Sequence, residues 1–575
     1  MKKTLISTTI ALALTTAITA CIAKPRDTSQ QLIKPPLTVT MLARYESGQY
    51  GVSAAEILDY HAQSKSIFVV NAKSGQVDIL DASIISTIKN TANNTTKTTV
   101  DPLTLNNLIK KSTLNLASDL NLTRLGSVNS VAIYDNLLAV AIERGDDKGN
   151  SVQDRGFIGF YSLDNTGKAT YLRAVEVGYL PDNVVFTHDG NKVIVANEGE
   201  PSNDYTVDPE GSISIININN NVPVKQAINI NFNDFDTQSA RHHELPKGVK
   251  VNGPKSSVSQ DLEPEYIAIS HDNSQAFVSL QENNAIAVID LKSQRVERII
   301  DLGCKDYGLV KNAIDASDKD GEINIQSYPG VYGLYQPDTI ASYSIEGADF
   351  IVTANEGDAR DYAGFSEETR AGKLTLDKNH PQFDAIQDKK QLGRLKVTTS
   401  IGDTDNDGDI DKIYSYGSRS FSIWDAQGKQ VFDSGNDFER ITADRLGINF
   451  NNHNSKNKGD SRSDDKGAEP EALAIGEING RQYAFIGLER TSGFMIYDIT
   501  VPQQAYFIDY IINRNFTPKF EVEDGVITKG NPHAIGDLGP EGMKFIPENK
   551  SPNGKPLLLV ANEVSGTTVV YQLKK

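Results

Sequence analysis

Apolar and polar residues along this chain follow a period of two far more often than a helical period. Around residue 183 the reading is clear: 183–187 and 192–196 are short apolar runs joined by His188-Asp189-Gly190-Asn191. A third run, 211–218, alternates Ile with polar residues. An Asp-Gly turn between apolar runs predicts a hairpin. The unit recurs at 266–270, 276–280 and 285–290, with His271-Asp272-Asn273 in the turn. Helical periodicity is scarce, and 103–122 is its best candidate.

A short, usually acidic phrase opens each unit. It reads Ser53-Ala54-Ala55-Glu56, Val128-Asn129-Ser130, Pro181-Asp182-Asn183 and Glu263-Pro264-Glu265 in the first four copies. The remaining three read Gln336-Pro337-Asp338, Glu469-Pro470-Glu471 and Gly539-Pro540-Glu541. A second phrase closes the following apolar run: Asn71-Ala72, Ile142-Glu143, Asn197-Glu198, Gln281-Glu282, Asn355-Glu356, Leu488-Glu489 and Asn562-Glu563. Repetition of a three- or four-strand unit predicts an all-β fold, a seven-bladed β-propeller of the YVTN-like kind with long inter-strand insertions. In the longest interval, 420–425 and 429–433 are expected to complete the fifth blade. A lone strand at 37–43 is expected to pair with the strands at 556–561 and 567–573 and close the ring, leaving no open sheet edge.

In a propeller the loop entering the innermost strand and the loop leaving the second strand share one face. Glu56, Asp182, Glu265, Asp338, Glu471 and Glu541 are therefore expected to form one ring around the channel mouth. Glu143, Glu198, Glu282, Glu356, Glu489 and Glu563 form another, with Asp358 beside them. The alternative is that each acid caps backbone amides within its own blade. Carboxylates crowded at one mouth need counter-charge or raised pKa values. Arg360, Arg419, Arg462, Lys466 and Arg490 recur beside the phrases and are candidates for binding an anion, although each can equally pair with a neighbouring acid.

Asp403-Thr404-Asp405-Asn406-Asp407-Gly408-Asp409-Ile410-Asp411 places oxygen ligands at alternate positions around a glycine, matching the first half of a calcium loop. Position twelve is Tyr414, which excludes an EF-hand. Asp318 and Asp320 lie in a weaker relative of the same pattern. Calcium is the expected cofactor of these loops, with another divalent metal possible in the funnel. His242-His243 lacks zinc-ligand spacing, and there is no Gly-x-Ser-x-Gly nucleophile elbow.

With 75 acidic against 57 basic residues the net charge is -18, which excludes nucleic acid as a natural partner. Lys2-Lys3, an apolar run over 5–17 and Ile18-Thr19-Ala20-Cys21 read as a lipoprotein signal over 1–20, with Cys21 the lipidated residue. Residues 21–36 read as a tether and 37–575 as one propeller domain. No later segment reaches the roughly 20 apolar residues of a membrane span. The expected location is thus a bacterial cell envelope, periplasmic or extracellular face, with the membrane met through the lipid alone. Cys304 is the one other cysteine, so no intramolecular disulfide is expected once Cys21 is lipidated.

Several stretches together resemble the choice-of-anchor I family of extracytoplasmic propellers, relatives of the mesenchyme-specific cell-surface glycoproteins. They are Ala196-Asn197-Glu198-Gly199-Glu200-Pro201, Asp261-Leu262-Glu263-Pro264-Glu265-Tyr266, Ala354-Asn355-Glu356-Gly357-Asp358-Ala359-Arg360, Arg462-Ser463-Asp464-Asp465-Lys466-Gly467 and Asn562-Glu563-Val564-Ser565-Gly566. The resemblance implies a propeller and points to calcium. Some members are labelled alkaline-phosphatase-like, which implies a metal-dependent phosphoester hydrolase as the alternative activity. The favoured expectation is a monomeric, calcium-loaded surface module that captures an unknown small-molecule or surface ligand; a scaffold for an envelope complex is a further alternative.

Overall fold

The computed structural model describes residues 37–88, 105–120, 125–146, 148 and 150–575. The signal segment, Cys21 and the tether lie outside the described residues. Strand accounts for 43% and helix for 10%, so the fold is all-β. Among the described residues no helix is long and apolar enough to cross a membrane.

Among the described residues, the period-two runs become seven antiparallel sheets of four or five strands, whose strands pair in chain order apart from the N-terminal strand; three smaller sheets lie in the insertions. Their first strands are Leu58–His61, Leu125–Tyr134, Pro181–Phe186, Ile267–Ile269, Ile340–Ile345, Pro470–Ile478 and Pro540–Ile546. Second and third strands, such as Gln275–Leu280 and Ala285–Asp290, are buried on both faces. That explains why they read as nearly continuous Ala, Val and Ile. In the fifth sheet Ala348–Asn355 pairs with Ser420–Asp425 across a long excursion, and Gln430–Asp433 is its outer strand. Thr38–Glu46 pairs antiparallel with Thr567–Lys574, Thr38 opposite Lys574, as the outer strand of the seventh sheet.

Apolar side chains between neighbouring sheets supply the core. Val140 and Phe68 meet between the first and second sheets, and Val193 and Ile158 between the second and third. Leu58, Ile67 and Val69 of the first sheet pack with Leu557, Leu559 and Val570 of the seventh. First strands touch in succession, and Leu58–His61 also touches Pro540–Ile546. They surround a cavity of about 500 Å³ lined by residues of all seven, including Asp59, Ile133, Val185, Ile269, Ser342, Ile475 and Lys544.

One element departs from the sequence reading. Within 103–122, Ile109–Leu114 is the fourth strand of the first sheet, paired with Gln76–Asp81, and among the described residues only Leu116–Leu120 is helical. The strand is an exposed edge buried mainly at Leu114, so its Lys-Lys-Ser-Thr run carries no two-sided apolar signal. The excursion inside the fifth sheet packs Leu376, Leu395 and Ile413 against Tyr307 and Val331 of the segment that precedes that sheet, forming a small separate core.

Candidate functional site

The sheets bring the recurring phrases to one end of the central cavity. There a second cavity of about 570 Å³ is walled almost entirely by carboxylates. Of the acids expected at the funnel, all except Glu56 and Glu143 line it. Glu56 does not line it, and its carboxyl is pushed well above the ordinary range by burial and then by the charge of Glu563. Glu143 also stands outside the lining, where Asn129 Nδ2 donates to its Oε1 at 2.6 Å.

Each phrase divides into structural and site-forming residues. Leu180, Gln336, Glu469 and Gly539 precede a proline with positive φ, between 40° and 70°. This left-handed step is sparsely populated by residues other than glycine. It is followed in each case by the acid that faces the cavity. In the second phrase the Asn is the fastener: Asn197 Nδ2 reaches Ser214 Oγ at 2.9 Å, and Asn355 Nδ2 reaches Ser422 Oγ at 2.9 Å. The next residue, Glu198 or Glu356, is then delivered to the mouth.

So many acids in one cavity do not all ionise as they would in water. Burial first, and then neighbouring carboxylates, push Glu198, Glu265, Glu471 and Glu541 well above the ordinary range. Asp182 is pushed up to about 8 by burial and then by Asp338, Glu143 and Glu200. Glu356 rises to about 8 and Glu489 to about 7, burial outweighing Lys466 in the first and Arg490 in the second.

Two cations share the wall, and both are committed. Lys466 Nζ lies 2.6 Å from Glu356 and 3.3 Å from Glu469. Arg490 lies 2.9 Å from Glu469 and 2.8 Å from Glu489. Glu469 is the hub, since Arg462 also reaches it at 2.5 Å. Burial would raise its carboxyl, but Arg462, Arg490 and Lys466 outweigh that and hold it well below the usual range.

Asp338, Glu356 and Glu471 offer one oxygen each within 4.8 Å of one another, as do Glu356, Glu469 and Glu489. Calcium binds carboxylate oxygens at 2.3–2.6 Å, so oxygens on opposite sides of one ion stand nearly that far apart. The second group already has its counter-charge at Glu469. In the first group Glu356 meets Lys466, but among the described residues Asp338 and Glu471 have no cation within 4 Å, so this group fits a divalent cation better. Glu265, Glu282, Glu471 and Glu489 each carry a buried oxygen with no hydrogen-bond partner. A buried carboxylate oxygen without a partner is costly, and a cation removes that cost.

The other sequence candidates lie elsewhere. Arg360 is buried, with Glu263 at 3.1 Å, Asp261 at 3.5 Å and Asn252 at 2.8 Å. Arg419 is buried against Glu439 at 2.7 Å and the carbonyls of Asp315, Ser463 and Asp465. Both turn their terminal guanidinium nitrogens to internal acceptors, while Arg360 Nε has no hydrogen-bond partner among the described residues. Asp318 is taken by Arg394 at 2.6 Å and by Lys319, whereas Asp320 keeps one buried oxygen unpartnered.

In the exposed acidic loop, Asp403, Asp405 and Asp411 bring one oxygen each within 4.8 Å, and so do Asp377, Asp409 and Asp411. Asp407 belongs to neither group; it accepts the Asp409 amide at 3.2 Å.

Sequence reasoning missed four contributors to the mouth: Glu200, Gln281, Asp361 and Tyr362. Tyr362 donates to Glu200 at 2.9 Å. Glu200 follows Glu198 by two positions, a signal the strand period offered. Asp361 and Tyr362 arrive on the fifth-sheet excursion and carried none.

Comparison with known proteins gives a consistent placement. The choice-of-anchor I domain model matches residues 56–502. Gigasin-3a of Magallana gigas is 31% identical over 202 residues, covering 34% of this chain and 68% of that protein. The mesenchyme-specific cell surface glycoprotein of Strongylocentrotus purpuratus is 29% identical over 312 residues, covering 47% of this chain and 40% of that protein. Among solved structures, Kuenenia stuttgartiensis hydrazine synthase aligns at TM-score 0.42 and 11% identity, covering 91% of this chain and 97% of that one. The Myceliophteria thermophila Cps50 (Swd1) β-propeller domain aligns at 0.39 and 8% identity, covering 93% and 100%. With the domain model spanning most of the chain, this protein belongs to the choice-of-anchor I family, whose domain is typical of extracytoplasmic surface proteins.

Proposed function

We propose that this chain is a seven-bladed, ring-closed propeller held at a bacterial envelope by lipid on Cys21, and that its acidic mouth loads divalent cations, calcium foremost, to capture a ligand. The ring reading is supported by the pairing of Thr38–Glu46 with Thr567–Lys574 and by the packing of first-sheet residues on seventh-sheet residues. The observation that carries the cation reading is the set of buried, unpartnered oxygens on Glu265, Glu282, Glu471 and Glu489, four residues that line one cavity. Asp338, Glu356 and Glu471 would hold the ion, which supplies positive charge for an anionic or hydroxyl-rich ligand group. The exposed Asp403–Asp411 loop is a second calcium position, serving to brace the fifth-sheet excursion.

Phosphoester hydrolysis is the weaker reading. Lys466 and Arg490, the cations at the mouth, are already paired with Glu356, Glu469 and Glu489. Calcium titration by calorimetry, with an anomalous-scattering map of calcium-soaked crystals, tests the proposal. Density among Asp338, Glu356 and Glu471 is the expected result. Its absence at saturating calcium refutes the site. Turnover of p-nitrophenyl phosphate that a chelator abolishes would favour the enzyme reading instead.

A further inference from the structure

A recess distinct from the mouth carries the opposite charge. Its volume is about 320 Å³, and seven Lys and Arg side chains line it against three Asp. In a chain with net charge -18, such a concentration of cations runs against composition. Like charges gathered in a cavity raise the local concentration of ions of opposite sign.

The three acids do not neutralise it. Asp464 is shared by Arg370 at 2.6 Å and Arg394 at 2.7 Å. Asp318 is shared by Arg394 and Lys319. Asp465 is shared by Arg462 at 2.9 Å and Lys396 at 3.3 Å. Each carboxylate thus braces two cations, and Lys396 also meets Glu368 at 2.8 Å and Arg462 meets Glu469 at 2.5 Å, so the unmatched charge of the recess lies at its other lysines. Among the described residues, no carboxylate lies within 4 Å of the ammonium groups of Lys456 or Lys458. His453 adds a neutral donor. Its Nδ1 accepts the Ser455 amide at 3.2 Å, which places the ring proton on Nε2. Positioned guanidinium forks beside free ammonium groups are the chemistry that selects tetrahedral and planar oxyanions.

We propose that this recess, centred on Arg370, Arg394, Lys456 and Lys458, binds an oxyanion group, sulfate or phosphate, of an acidic ligand. A third cavity of about 180 Å³ shares Lys396, Arg462 and Asp465 with the recess and Asp358, Lys466 and Arg490 with the mouth. An extended polyanion seated in the recess therefore has a path toward the cation-binding mouth. The recess itself needs no metal.

The test is calorimetric titration of the full chain at low ionic strength with inorganic phosphate, inorganic sulfate and a sulfated oligosaccharide. Binding of the inorganic ions identifies a free oxyanion as sufficient. Binding of the oligosaccharide alone identifies an ester on a polymer. In either case Lys456→Glu with Lys458→Glu is expected to weaken binding about tenfold or more. Lys574→Glu with Lys575→Glu, which changes net charge equally outside the recess, is expected to leave it within about twofold. Lys458→Glu alone guards against misfolding of the double variant, since Lys458 is exposed, and is expected to cost about threefold. No binding of any probe, full affinity in both recess variants, or loss of binding on adding a chelator would overturn the proposal. Loss with chelator would assign the anion to the mouth's cation instead.

Discussion

Replacing Glu471 with Gln separates a cation ligand from a structural acid, because the two roles predict opposite signs. Glu471 is 9% exposed, has one oxygen without a partner, and sits with Asp338 and Glu356 inside a 4.8 Å triangle of oxygens. Two unit charges at that separation repel by about 3 kcal/mol at an effective dielectric constant near 20. In the metal-free protein some of that cost is avoided by protonation, consistent with the raised carboxyls of Glu471 and Glu356. Glu471→Gln is therefore expected to stabilise the metal-free protein by about 1–3 kcal/mol. At about 2.1 cal/mol/K per residue of unfolding entropy, a domain of this size gains about 1 °C in Tm per kcal/mol. Calcium at about a hundred times its Kd should add about 2.7 kcal/mol to the unmodified protein. In the variant this calcium-dependent gain should fall by at least half. Scanning calorimetry with chelator and then with calcium measures both quantities. A variant less stable than the parent in chelator, with an unchanged response to calcium, would refute the reasoning and make Glu471 a structural residue.

Glu469→Gln should behave in the opposite way, since it leaves Arg462, Arg490 and Lys466 around an uncharged amide. A loss of about 3–5 kcal/mol is expected on breaking such a buried cluster, read as a lowered denaturant midpoint; a loss under about 1 kcal/mol would show the cations re-pairing freely. The mouth also fixes the pH response. Carboxyls raised in the folded state favour protonation there, so the metal-free protein should lose stability as pH climbs from about 4, the ordinary carboxyl range, towards 8, where Asp182 and Glu356 are ionised. Melting temperatures in chelator should fall across that window, whereas a rise would mean the acids are paired rather than crowded. Asp405→Ala with Asp407→Ala should reduce calcium stoichiometry and remove a calcium-dependent part of the melting temperature; identical melting with and without chelator in the parent protein would eliminate the loop as a site.

The fold was legible because its information is local. Alternation over five or six residues, a His-Asp-Gly turn and a Pro-acid step each specify a strand start without reference to distant parts of the chain. That the Asn-Glu phrases converge on one cavity was legible for the same reason. What escaped was pairing across large sequence separations. Arg360 and Arg490 look alike in sequence, each following an acidic phrase. Arg360 is drawn inward by Asp261 and Glu263, whereas Arg490 reaches the cavity wall. Likewise Glu469 and Glu471 flank one proline, but three cations surround the first, while the second keeps an unpartnered oxygen. The edge strand Ile109–Leu114 was hidden because a strand exposed on both faces carries little apolar pattern.

The partnership of Thr38–Glu46 with Thr567–Lys574 has a consequence for the order of folding. During synthesis the first of these strands is made long before its partner exists. It must remain unpaired while six sheets assemble from contiguous sequence, and it can dock only when the other strand has emerged. Contacts of such sequence separation form late and slowly. The seventh sheet is then the last cooperative unit to form, and unfolding is expected to start by releasing it. Until Thr38–Glu46 docks, the edge of Thr567–Lys574 has no partner to cover it, so the last step of folding is also the one that removes an open sheet edge.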